Sequence, residues 1–259
     1  MALIQVNFHS ESLQRTVPMN VILPVDRNCP VPKEGYPTLY LLHGLYGSYT
    51  GWVTNTRIQK WAEEWGLAVV MPSGDNSFYV DWEQPNNAYS KFIGEELVDI
   101  TRKMFPLSSR REDTFIAGLS MGGYGAVHNG LKYSETFSHI AALSAALHIF
   151  EVPVGMPVPN LIGENWVFGD LVAARETNKN PRVALAEIIS ENRPMPKMYM
   201  ACGLQDGLIL PNRILRDHFK AQGMDVTYEE TDGNHDWDFW DTQIQKVLAW
   251  LPLTKPAGK

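Results

Sequence analysis

Cysteine is scarce in this sequence, with Cys29 and Cys202 the two among 259 residues. They lie far apart and form neither a C-x-x-C pair nor a Cys/His cluster, which excludes a disulfide framework and points away from a structural zinc site. Positive charge is short as well: 22 dispersed Lys and Arg face 29 Asp and Glu, for a formal net charge of −7. Such a surface repels a polyanion, so nucleic acid is not an expected partner. Nowhere is there a run of about 18 apolar residues, the length that crosses a bilayer. The opening MALIQVNFHSESLQRT has no basic n-region and no apolar h-region. The expectation is a cytoplasmic protein with no membrane partner.

What the sequence does have is 44% hydrophobic residues over a length that can bury one large core. A single domain spanning 1–259 is expected, and no internal repeat is visible. LIQVNF and TVPMNVIL alternate in part, as half-buried strands at a sheet edge do. Short, nearly continuous apolar runs follow at 38–42 (TLYLL), 67–71 (LAVVM), 114–119 (TFIAGL), 139–143 (HIAAL) and 197–202 (KMYMAC). Runs of that kind suit strands buried on both faces of a parallel sheet. Helix-period segments alternate with them at 57–65, 92–105, 122–132, 211–223 and 238–251, and VTYEET at 226–231 is the last strand. Alternation of this kind means crossover connections and an open α/β sheet of about eight strands, mostly parallel, with helices on both faces.

One stretch breaks the rhythm. Residues 146–195, after the sixth strand, replace the expected single helix with a Pro- and Gly-punctuated segment that holds Trp166 and Phe168. A long insertion in a compact domain reads as a cap-like functional loop, the plainer alternative being a surface connection or an oligomer contact. A homo-oligomer is left open on that ground.

The chemistry begins at FIAGLSMGGYGA, residues 115–126. Gly118-Leu119-Ser120-Met121-Gly122 is a G-x-S-x-G pattern placed where a predicted strand ends and a small-residue helix begins. On such a turn the hydroxyl is pushed out of the sheet, and the backbone is strained in a way that needs glycines two residues before and after. The helix N-terminus beyond it points unpaired N–H groups toward the serine. A serine is a poor nucleophile without a base. Of seven histidines, His235 follows the last strand and precedes the final helix, as the Ser, acid, His order of this arrangement requires. His9, His43, His128, His139, His148 and His218 sit at positions that fit worse. Asp206, just past KMYMAC, is the expected acid that holds the imidazole tautomer; Asp232, Asp236 and Asp238 are nearer rivals in sequence. A cap on the following turn is Asp206's plainer role.

Two N–H donors should stabilise the tetrahedral oxyanion: Met121, directly after the nucleophile, and Leu45 in the His43-Gly44-Leu45-Tyr46-Gly47 loop. His43 reads as a brace for that loop rather than a catalyst. Trp52, Tyr79, Trp82, Trp166 and Trp237 are candidates to line the substrate pocket, with core packing their plain alternative. Cys202 reads as a buried, inert thiol.

The runs HGLYGS, VVMPSGDNSFYVDW, FIAGLSMGGYGA, CGLQD and NHDWDFW resemble the putative-esterase family of tributyrin esterases and S-formylglutathione hydrolases of the esterase D type, with feruloyl and acetylxylan esterases as relatives. The similarity spans about residues 36–250. It implies the α/β-hydrolase fold and a serine carboxylesterase that hydrolyses short-chain acyl esters, acetyl to butyryl, with no cofactor and no metal. Carried over, its triad falls on Ser120, Asp206 and His235 and its oxyanion donors on Leu45 and Met121. The partner implied is a small-molecule ester. An S-formylglutathione hydrolase-type thioesterase and a feruloyl or acetylxylan esterase share the same machinery, and an acyltransferase would need an alcohol that outcompetes water. GENWVFGD, inside the insertion, departs from the family pattern, which leaves acyl-chain preference open.

Overall fold

A computed structural model of the chain describes residues 1–26, 31–151 and 167–255. Its centre is one eight-stranded sheet in the order β1-β2-β4-β3-β5-β6-β7-β8. The strands are β1 (Ala2–Ser10), β2 (Arg15–Leu23), β3 (Thr38–Leu42), β4 (Ala68–Pro72), β5 (Thr114–Leu119), β6 (His139–Leu143), β7 (Lys197–Gly203) and β8 (Val226–Thr231). β1 runs antiparallel to β2, and β2 to β4; every pair from β4 to β8 is parallel. The apolar runs became the interior strands because they are buried: β3, β4 and β5 along their whole length, and β6 and β7 at every residue after the first.

The helices are α1 (Gly51–Asn55), α2 (Ile58–Trp65), α3 (Tyr89–Lys91), α4 (Leu97–Met104), α5 (Met121–Lys132), α6 (His148–Glu151), α7 (Leu171–Ala174), α8 (Pro181–Ser190), α9 (Ile209–Ala221) and α10 (Trp237–Trp250). A π-helical turn, Phe92–Glu96, joins α3 to α4. The two sheet faces build two cores, and the period-two pleat sorts side chains between them. Tyr40 and Leu42 of β3 join Ile116, Ile140, Met198 and helix α5 on one face. Leu39 and Leu41 join Phe115, Ala141, Tyr199 and helices α2 and α10 on the other.

Two sequence expectations are refined. The N-terminal pair is not all edge: β1 alternates in exposure as a rim strand does, whereas β2 lies inside the sheet and is mostly buried. The stretch assigned to an insertion also holds the ordinary crossover helix, since α8 buries Ala184, Leu185 and Ile188 and packs on α5 and α9. Just before it, Phe168 joins Phe78, Tyr124 and Phe150 in a cluster of edge-to-face and stacked rings. Trp166 and Cys29 lie outside the described residues. Among the described residues, no helix is long and apolar enough to cross a membrane.

Candidate active site

Ser120 stands between β5 and α5 with φ 53° and ψ −117°, a backbone conformation that L-residues rarely adopt. Its surroundings over-determine that strain. The Ser120 amide donates to Leu143 O (2.9 Å), and its carbonyl accepts from Tyr124 N (3.0 Å) and Ala146 N (2.9 Å). The flanking glycines are needed for clearance. A Cβ on Gly118 would lie 2.2 Å from Gly122 O, and one on Gly122 would lie 2.5 Å from His43 O. Gly125 clears a side chain. It makes room for the Tyr79 ring, 2.4 Å from a Cβ there, rather than for the sheet.

Two loops from the far end of the chain meet this turn. His235 Nε2 lies 2.9 Å from Ser120 Oγ, and His235 Nδ1 lies 2.8 Å from Asp206 Oδ2. With a carboxylate on one side and a hydroxyl on the other, the network assigns the proton to Nδ1 and leaves Nε2 as the acceptor. Asp206 also makes the capping contact foreseen as its plainer role, because Oδ1 accepts from Leu208 N at 2.9 Å while Oδ2 faces the imidazole. Its side chain is fully buried. Burial pushes the Asp206 carboxyl up, but hydrogen bonds from His235, the Leu208 amide and the Ser144 hydroxyl outweigh it and hold the group below the usual carboxylate range. The rival acids are engaged elsewhere: Asp232 accepts from Gln205 Nε2 (2.8 Å), and Asp236 caps α10 through Phe239 N (3.0 Å). The loops of Asp206 and His235 are laced together by Gln205 N to Gly233 O (3.1 Å) and Gly233 N to Gln205 Oε1 (2.8 Å).

The third loop carries Leu45. His43 is buried, with Nδ1 2.8 Å from Gly44 O and Nε2 accepting from Gly74 N at 2.9 Å. Burial lowers its pKa, so it stays neutral and acts as a brace. Tyr79 reinforces it by donating its hydroxyl to His43 O at 2.9 Å. The loop touches the serine turn, since a Cβ on Gly44 would lie 3.4 Å from Ser120 Cβ. Among the described residues, no acceptor is paired with the Leu45 or Met121 amide.

Ser120 and His235 open onto a cleft of about 1330 Å³, with Asp206 buried behind the imidazole. Of the aromatics named from sequence, Trp237 lies on its wall. Trp52, Tyr79 and Trp82 do not. Trp52 is buried, with its indole donating to Leu42 O (2.9 Å) and its ring edge-on to Trp237. Tyr79 is buried in the His43 brace, and Trp82 packs against Tyr89 at the margin of the core. The wall instead includes Tyr46, Leu210, Pro211, Ile214 and Trp240, which the sequence reading missed. Trp240 had a signal: it follows Trp237 by three residues, on the same side of a helix that starts two residues after the candidate base. Cys202 is buried beside Asp206, and burial pushes its thiol far up, which makes it a poor nucleophile. Among the described residues, no cluster of His, Cys, Asp or Glu could hold a metal ion.

A mostly parallel eight-stranded sheet with a serine on the strained turn after β5, facing a histidine from the loop after β8, defines a serine hydrolase of the α/β-hydrolase type. The chain belongs to the "Putative esterase" family, whose model matches residues 10–251, and it is a carboxylic ester hydrolase. It is 42% identical over 262 residues to an acetyl esterase of Caldicellulosiruptor saccharolyticus, covering 97% of this chain and 98% of that one. Among solved structures it resembles FphF, a fluorophosphonate-binding serine hydrolase of Staphylococcus aureus, with TM-score 0.86, 31% identity and coverage of 96% and 98% of the two chains. It also resembles the S-formylglutathione hydrolase FrmB of Staphylococcus aureus, with TM-score 0.84, 31% identity and the same coverage.

Proposed function

We propose that this esterase cleaves short-chain acyl esters, acetyl to butyryl in size, through an acyl-enzyme on Ser120. The observation that carries the proposal is the continuous line from Asp206 Oδ2 through His235 to Ser120 Oγ, with contacts of 2.8 and 2.9 Å. His235 takes the hydroxyl proton as Ser120 Oγ attacks the ester carbonyl. The Leu45 and Met121 amides receive the oxyanion, each donor of this kind being worth roughly a hundred- to a thousand-fold in rate. His235 then returns its proton to the departing alcohol. Water, deprotonated by the same imidazole, attacks the acyl-enzyme and releases the acid and the free serine.

The acetyl preference is supported by the acetyl esterase relative, 42% identical along nearly the whole chain. The low cysteine content is in keeping with a cytoplasmic setting. A second reading, thioester cleavage of the S-formylglutathione type, has the FrmB likeness in its favour. One panel tests both: p-nitrophenyl esters from acetate to octanoate, methyl ferulate and S-formylglutathione. Highest kcat/KM on acetate or butyrate is expected. A clear preference for octanoate or for the thioester would replace the short-chain ester reading.

A further inference from the structure

The loop that carries Leu45 is a tight turn with a strained occupant. Gly47 N donates to Gly44 O at 3.1 Å, which closes a four-residue turn with Leu45 and Tyr46 at its centre. Tyr46 has φ 60°, a left-handed value that the third residue of a turn adopts in type II, where glycine or asparagine is the usual occupant. A tyrosine is strained there, and at 75% exposure the burial of its ring does not drive that strain. A side chain from another loop holds it: the Tyr46 N–H, the donor of the turn's central peptide, gives its hydrogen bond to Asn76 Oδ1 at 2.8 Å. Asn76 is half-buried in the loop after β4, and that loop is itself pinned. Gly74 N donates to His43 Nε2 (2.9 Å), the Tyr79 hydroxyl to His43 O (2.9 Å) and Ser77 Oγ to Gly74 O (2.6 Å). The Tyr89 hydroxyl donates to Asp75 Oδ2 (2.6 Å), which also pairs with Arg15. Residues 74–79 therefore grip the turn on both sides of Leu45, at His43 and at Tyr46.

We propose that Asn76 is a positioning residue for the oxyanion hole: by accepting from the Tyr46 N–H it locks the central peptide of the 44–47 turn and so fixes the Leu45 N–H that precedes it. This rests on the reading of the Leu45 and Met121 amides as the oxyanion donors. Leu45 and Tyr46 both line the cleft, and the Leu45 N–H is one residue before the donor that Asn76 holds. Without the acceptor, Tyr46 relaxes to negative φ, the range of the commoner type I turn, and the Leu45–Tyr46 peptide turns over. That rotation shifts the Leu45 backbone, while Ser120, His235 and Asp206 stand on other loops and keep their line of contacts. Oxyanion donors act over about 2.7–3.1 Å, so a small displacement is enough to weaken one.

Asn76→Ala and Asn76→Asp test this on p-nitrophenyl acetate and on a trifluoromethyl ketone of the same acyl size. Ser120 Oγ adds to the ketone carbon, its proton passes to His235, and the hemiketal oxygen takes the oxyanion position, so the inhibitor reads the donors with no leaving group involved. In Asn76→Ala, which lacks the acceptor, kcat is expected to fall on the order of ten-fold with KM within about two-fold of the parent, and the inhibition constant of the ketone to rise by a similar factor. Asn76→Asp keeps the shape and an oxygen that accepts from Tyr46 N, so both quantities should return to within about three-fold of the parent. Parental kcat and ketone affinity in Asn76→Ala would overturn the proposal, as would a loss in Asn76→Asp as large as in Asn76→Ala. A fall in kcat with unchanged ketone affinity would overturn it too, since the damage would then lie outside the oxyanion hole. The parent enzyme separates the two readings. If it binds the ketone no more tightly than the acetate ester, the oxyanion hole itself is misassigned; tight binding by the parent that Asn76→Ala leaves unchanged defeats the role of Asn76 alone.

Discussion

At the scale of the residue, the site is a set of polar atoms whose alternatives have been used up. Asp206 spends one oxygen on Leu208 N and the other on the imidazole, and its rivals Asp232 and Asp236 are held by Gln205 and by the start of α10. Asp206→Asn keeps the shape but offers an amide that favours the wrong imidazole tautomer, so kcat should fall by roughly 10³- to 10⁴-fold with the fold intact. Ser120→Ala and His235→Ala should lose nearly all turnover, and Ser120→Ala should no longer be labelled by a fluorophosphonate. Near-parental rates in Asp206→Asn would move the acid to a neighbour. Cys202 gives a contrary prediction. Its thiol is buried and pushed far up, so in a Cys29→Ser protein iodoacetamide should modify no thiol until denaturant is added. Rapid modification of the native protein would show that the β7 end opens.

At the scale of the element, the turn that carries Ser120 depends on how closely α5 approaches β3. A methyl on Gly122 would meet the carbonyls of His43 (2.5 Å) and Leu42 (2.6 Å), which are backbone atoms that cannot rotate away. Gly122→Ala should therefore cost about 1–3 kcal/mol, the usual range for overpacking. In a chain of this size that lowers Tm by about 2–4 °C per kcal/mol, measurable by calorimetry. Activity should fall by more than stability alone explains, because the same shift moves Leu45 relative to Met121. An unchanged Tm would mean that the helix start is looser than its contacts indicate. Most of these elements were legible beforehand. The runs read as strands at 38–42, 114–119 and 139–143 coincide with β3, β5 and β6, since an unbroken apolar run has no other stable place than between two helical layers. The short helices α1, α6 and α7 and the crossover helix α8 were not legible as such, because four or five residues carry too little period and the proline and glycine around α8 read as loop.

At the scale of the whole molecule, two histidines outside the cleft lining sit against the sheet, His128 buried and His139 half-buried. His128, fully buried on α5, has its pKa pushed down to about 3, chiefly by burial and then by Lys132. Burial and the nearby Lys197 and Arg111 lower His139 of β6 to about 4. Both stay neutral in the folded protein while the unfolded chain binds protons below its ordinary value of about 6.5. Each thus contributes stability that is complete above that value and is lost as pH falls toward the folded pKa. Unfolding free energy should decline between about pH 6.5 and 4 with a slope approaching one proton per histidine. His128→Gln, followed by urea titration across that range, should flatten the slope; an unchanged slope would show that His128 is protonated in the fold without penalty.

Local order along the chain was enough to determine the alternation of strand and helix and the serine on a tight turn with its clearing glycines, and to single out Ser120, Asp206 and His235 as candidates, because burial period and backbone sterics act over a few residues at a time. Which aromatic rings face the cleft was decided only by packing. Trp52 and Trp237 look alike as text, yet one is buried with its indole on Leu42 and the other walls the cleft. Trp240 came to the cleft wall the same way, its indole held by Ser144, a residue 96 positions earlier that it meets only when the sheet brings the end of β6 against α10. A hydrogen bond between distant residues leaves no period in the sequence, so only the closed fold could supply it.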